Sequence, residues 1–305
     1  MRLIATQFIT LALVLSGAVF SPAQAAVPSD GTYLCSTGEP SNSTPNYTIT
    51  NGVVSEGSTC LGPVVIPEGV TSIGNSAFLF SGITSIDIPS SVARIGDFAF
   101  STTSLSSIHI PSSVTFIGIF AFSDSPSLTS ATIAPGVTSI PPNMFDGATA
   151  LTSVTIPSSV TSISSVAFGR TALTSVTIPS SVTSIGIMVF SGSTALSSVY
   201  FLGDAPYVMD ATPFSNIASG ARAYINSGAS GFGSSGSVWN GLIVTQDAAS
   251  EVTQTPTPTP IETESNSPAV LATTGISTPA TSSGAVGLGL LAILLGSVGR
   301  LRQNQ

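Results

Sequence analysis

The fifteen residues TALTSVTIPSSVTSI occur twice, at Thr149–Ile163 and at Thr171–Ile185, identical and starting twenty-two residues apart. Within each copy, TSVTIP alternates small polar and β-branched residues, the pattern of a short strand with one buried face. The alternation sends Val154 and Ile156 inward and Ser153 and Thr155 outward. The proline that follows ends the extended run, because it has no N–H to offer a ladder.

Outside the two copies the same columns continue without identity. Phenylalanines stand at Phe78, Phe100, Phe122, Phe145, Phe168 and Phe190, spaced 22, 22, 23, 23 and 22. Isoleucines at 73, 95, 117, 140, 163 and 185 and valines at 70, 92, 114, 137, 160 and 182 keep step. The unit reads L-x-x-V-x-I-P-x-x-V-x-x-I-G-x-x-A-F, with Gly74, Gly96, Gly118 and Gly186 expected in a tight turn before a short helical or 3₁₀ piece. Pro141 and Ser164 interrupt the glycine column. A unit this short cannot bury its apolar face alone, so identical coils must stack. At a parallel strand spacing of about 4.8 Å, six coils rise roughly 30 Å.

This consensus resembles the BspA-like leucine-rich repeat of bacterial surface proteins. The resemblance implies an α/β or mainly β solenoid, a right-handed coil stack with a parallel strand face. The repeats are expected over residues 61–201. A cap closed by Cys35 and Cys60 is expected over residues 26–60, and a degenerate repeat with a C-terminal cap over 202–246. The chain's only two cysteines are read as a disulfide because the N-terminus is an export signal. Residues 1–25 carry Arg2, an apolar run and the small-residue site Ala23–Ala25.

From Asp247 the text changes to DAASEVTQTPTPTP, a Thr/Pro linker to residue 270 that favours extended polyproline II. Leu271–Ala272–Thr273–Thr274–Gly275 then precedes a polar spacer, the apolar run 285–299 and a tail with Arg300 and Arg302. The order resembles a Gram-positive cell-wall sorting signal, in the L-A-x-T-G form of class E sortases of high-GC bacteria. The resemblance implies that a sortase cleaves at Thr274 and passes the chain to a peptidoglycan amine. The chain is then a substrate, and meets the membrane only through residues 285–299 before processing.

Charge narrows the function further. Only 7% of the 305 residues are charged, lysine is absent, and the formal net charge is −8. Processing at both ends leaves fourteen acidic residues against Arg94, Arg170 and Arg222, which phosphate would repel, so no nucleic-acid partner is expected. One histidine, His109, and no metal-ligand spacing give no catalytic or metal constellation, so no enzyme and no cofactor is expected. The candidate binding face is the outward strand column Asp87, His109, Thr132, Thr155, Thr177 and Tyr200. Its Thr centre reads equally as a solvated ladder. The expected function is adhesive, toward a protein or glycan at the cell surface. The alternative is a structural wall or coat protein with no specific ligand.

Overall fold

The computed structural model describes residues 27–210 and 212–246. Over them the chain winds through about eight turns of a parallel-strand solenoid. The first side of each turn carries the longer strands: Leu61–Val65, Gly82–Asp87, Ser107–Ile110, Ser130–Ile133, Ser153–Thr155, Ser175–Ile178, Ser198–Phe201, Arg222–Ile225 and Leu242–Gln246. The second side carries two-residue strands: Ser72–Ile73, Arg94–Ile95, Phe116–Ile117, Ser139–Ile140, Ser162–Ile163, Ser184–Ile185 and Tyr207–Val208. Prolines 67, 89, 111, 157 and 179 fall just beyond first-side strands, where a missing donor is tolerated.

The third side corrects the expected helical piece, since no helix occurs among the described residues. Each turn there places two residues in the left-handed region, four apart: Phe98 and Thr102, Phe120 and Asp124, Val166 and Arg170. A helix would aim its N–H groups back into its own segment. Here they point along the stack instead. The N–H groups of Phe98, Phe100 and Thr102 donate to the carbonyls of Ile119, Ala121 and Ser123 one turn on.

The glycine column has a different cause from the one expected. Gly118 is not left-handed; Phe120, two residues later, is. A Cβ on Gly118 would lie 2.4 Å from the Asp97 nitrogen, so close approach of successive turns selects the glycine.

Seven phenylalanines form one buried stack from Phe78 to Phe214, with successive ring centroids 5.2–5.6 Å apart and planes within 19° of parallel. Beside it runs a buried column of small residues three positions after each of the first six rings: Ser81, Thr103, Ser125, Ala148, Thr171 and Ser193. Ser125 Oγ lies 3.2 Å from Thr103 Oγ1 and donates to Phe100 O, and Ser193 repeats both contacts with Thr171 and Phe168. Outer hydroxyls are also used between turns. Those of Thr129 and Thr152 donate to the carbonyls of Ser106 and Thr129. Low charge is compatible with order because hydroxyls tie the turns together.

Both ends of the stack are covered. An antiparallel meander, Gly31–Leu34, Asn46–Thr50 and Val53–Ser55, joins Ser72–Ile73 through its last strand. The Cys35–Cys60 disulfide forms, with Cα atoms 5.6 Å apart. Buried Tyr47 donates its hydroxyl to Val65 O at 2.7 Å and meets Phe78 edge-on. Burial, with Tyr33 alongside, raises the Tyr47 phenol above its ordinary value. At the other end Trp239 packs edge-on against Phe201 and Phe232, and Val238–Trp239 pairs antiparallel with Leu242–Gln246.

Stacking is less uniform than identical text suggests. In the two copies, Ser162–Ile163 pairs in register with Ser184–Ile185, yet Ser153–Thr155 and Ser175–Ile178 do not pair. The step from core Phe to the following Leu is six residues before the first copy and five before the second.

Candidate functional site

Each candidate residue on the first side is an outward position of a strand whose alternate residues are buried or half-buried. His109 stands between buried Ile108 and Ile110 and is exposed. It pairs with Thr132, and Thr132 with Thr155. Asp87, also exposed, is in register with Val65 instead, and no pairing links its strand to that of His109. Thr177 pairs with Tyr200. The expected single column therefore falls into three registers: Val65 with Asp87; His109, Thr132 and Thr155; Thr177 with Tyr200 and beyond.

The third register holds residues that the sequence pattern missed. Tyr200 pairs with Tyr224, and their rings stack at 4.9 Å and 18°. In the neighbouring column Ser198 pairs with Arg222, whose guanidinium donates to Thr245 Oγ1 at 3.1 Å. Two aromatic faces and a cation thus share one end of the strand face. The signal was present as Arg222–Ala223–Tyr224–Ile225, which keeps the buried alternation without the consensus letters. By contrast, the hydroxyls of Thr132, Thr155 and Thr177 make no side-chain hydrogen bond among the described residues, so they stay open to solvent or ligand.

Charge elsewhere concentrates at one point. Arg170 binds Asp146 in bidentate fashion, at 3.0 and 2.9 Å, and approaches Asp124 at 3.5 Å. The Asp146 hydrogen bond raises the Arg170 value further above an already high one. These three residues sit on successive turns and clamp them. Among the described residues, no group of three or more His, Cys, Asp or Glu is placed to hold a metal ion. Leu271, Ala272, Thr273, Thr274 and Gly275 lie outside the described residues, as do the export signal, the linker and residues 285–299.

Residues 71–197 match the family model described as BspA type leucine-rich repeat region, in six copies. The coil stack over these residues is thus similar to a leucine-rich-repeat solenoid. Similar solved structures include a leucine-rich repeat protein from Eubacterium ventriosum, 27% identical over 50% of this chain and 42% of that one, with a TM-score of 0.46. A leucine rich cell surface protein from Faecalibacterium prausnitzii is 25% identical over 53% and 60%, with a TM-score of 0.30. The pneumococcal vaccine antigen PcpA is 18% identical over 56% and 61%, with a TM-score of 0.31. The chain spans about half the length of these structures. No curated protein matches it.

Proposed function

We propose that this is an exported surface protein whose repeat stack binds a protein or glycan partner through the first strand face. The Tyr200–Tyr224 stack beside Arg222 carries the reading. Tyr and Arg dominate binding hot spots, because each combines large contact area with a directed polar end. The rest of the face offers open threonine hydroxyls with few charges to desolvate. The double substitution Tyr200→Ala/Tyr224→Ala, tested with the full chain on arrays of matrix proteins and glycans, should weaken a saturable interaction about tenfold or more. Unchanged binding would remove the strand face from the reading.

Display at the wall rests on Leu271–Gly275 as a sortase substrate, with a peptidoglycan amine as acceptor. Covalent recovery of a Thr274→Ala chain in purified peptidoglycan would sink that part alone. A second reading, a structural wall protein, draws on hydroxyls that link turn to turn, as at Thr129 and Thr152. It predicts no loss of cell phenotype when the tyrosine pair is changed.

A further inference from the structure

The second side is interrupted once, between Phe116–Ile117 and Ser139–Ile140. At the junction before it, Thr115 and Gly118 donate to the carbonyls of Ala93 and Ile95. At the junction after it, Thr161 and Ser164 donate to Thr138 and Ile140. Between these, position 141 is proline and has no N–H. A Cβ by itself does not break the ladder, since Ser164 keeps its bond at 2.9 Å. The missing donor of Pro141 therefore parts the two turns. Among the described residues, no N–H from Thr138–Pro141 reaches the carbonyls of Thr115 and Ile117, and the Thr138 N–H has no acceptor.

A cleft of about 320 Å³ opens at this parting. Its aromatic wall is Phe116, which is 43% exposed. Arg94, the register partner on the preceding turn, lies 4.2 Å from the ring centroid. The cation holds one face of the ring, and the other looks toward the parted turn. Asp97 also lines the cleft; its Oδ1 accepts the Ile119 N–H at 2.9 Å, which leaves Oδ2 uncommitted. Thr115, Ser139 and Ser164 also line the cleft.

The geometry points to a saccharide site: a single pyranose ring lies with its C–H face on Phe116 and its hydroxyls toward the orphaned main-chain groups and Asp97. Two unpaired carbonyls and a carboxylate oxygen call for several donors, and the Thr138 N–H calls for an acceptor. A sugar hydroxyl supplies both roles at once. An entering peptide strand fits worse, because Pro141 and Pro142 give it no N–H with which to complete a ladder. The volume is at the lower end of small-ligand sites. This site is independent of the tyrosine pair on the first side.

The test is saturation-transfer NMR of the full chain with methyl glycosides of glucose, galactose, mannose and N-acetylglucosamine. At least one glycoside should give a saturable signal. Phe116→Ala should weaken it about tenfold, whereas Tyr200→Ala/Tyr224→Ala should leave it unchanged. Pro141→Gly restores the N–H donor, so it should abolish the signal without lowering Tm. Absence of binding to all four at about 50 mM overturns the proposal. So does a signal that survives both Phe116→Ala and Pro141→Gly, or one that is lost with the tyrosine pair.

Discussion

Two phenylalanine stacks run from turn to turn in this molecule, and they do different work. The inner one spans seven rings, all buried. The outer one is only Phe98 on Phe120, centroids 4.7 Å apart and half-buried, with exposed Phe116 nearby. A repeated residue is kept by the stack, because each copy needs its neighbour to be buried. An unrepeated one on the surface has no such support. The inner stack therefore explains the fold, and the outer group marks where one turn differs from the next.

Mid-stack substitution should separate the two groups most sharply. Phe145 is fully buried between Phe122 and Phe168 at 5.6 Å on each side. Phe145→Ala should cost about 3–5 kcal/mol in urea unfolding. Phe120→Ala loses one exposed-side stack and should cost about 0.5–1.5 kcal/mol. Equal losses would mean that the outer pair is structural after all.

The meander offers the next largest effect. Its disulfide closes a sequence separation of 25, which by chain entropy stabilises by about 3 kcal/mol. Reduction should raise amide exchange in Gly31–Ser55 first and leave the turns beyond Phe122 protected, since a solenoid passes stability mainly between neighbours. Simultaneous loss of protection along the whole stack would refute that locality.

A finer contrast lies inside the buried hydroxyl column. Ser125 Oγ bridges Thr103 and Phe100 O, whereas Ser81 Oγ, also buried, has no partner among the described residues. Ser125→Ala strands the Thr103 N–H and should destabilise by about 1–3 kcal/mol. Ser81→Ala removes an unsatisfied group and should be neutral or slightly stabilising. A matching loss at both positions would show that hydroxyl volume, not hydrogen bonding, decides the column.

Much of this was legible in the sequence, and what escaped has physical causes. The Phe, Ile and Val columns and the prolines gave the coil stack, because burial repeats with each turn. The third side escaped because alternating left-handed residues have no residue signature: Phe, Val, Met and Arg all occupy those positions. Tyr224 escaped because its turn keeps alternation while losing the consensus letters. The split of the outward column escaped because strand sequence does not set which strands pair: the identical segments at Ser153–Thr155 and Ser175–Thr177 do not pair with each other. Pro141 was visible as an exception, but its consequence depends on which N–H it withholds from which carbonyl.

The smallest expected effect is acid-linked and sits at the far end of the stack. Asp204 accepts the Ser230 N–H at 2.7 Å, and Ala205 donates to Ser230 O in return. The Ser230 hydrogen bond holds the Asp204 carboxyl below its ordinary value. A depressed carboxyl contributes stability that is complete above the unfolded-state value, about 3.9, and is lost as pH falls through the folded one. Amide exchange at Ser230, corrected for its intrinsic pH dependence, should therefore accelerate only below about pH 4. Asp204→Asn keeps an acceptor but cannot titrate, so the acid step should vanish while Trp239 fluorescence stays unchanged. An acid step that persists in the Asn variant would assign it to another carboxylate.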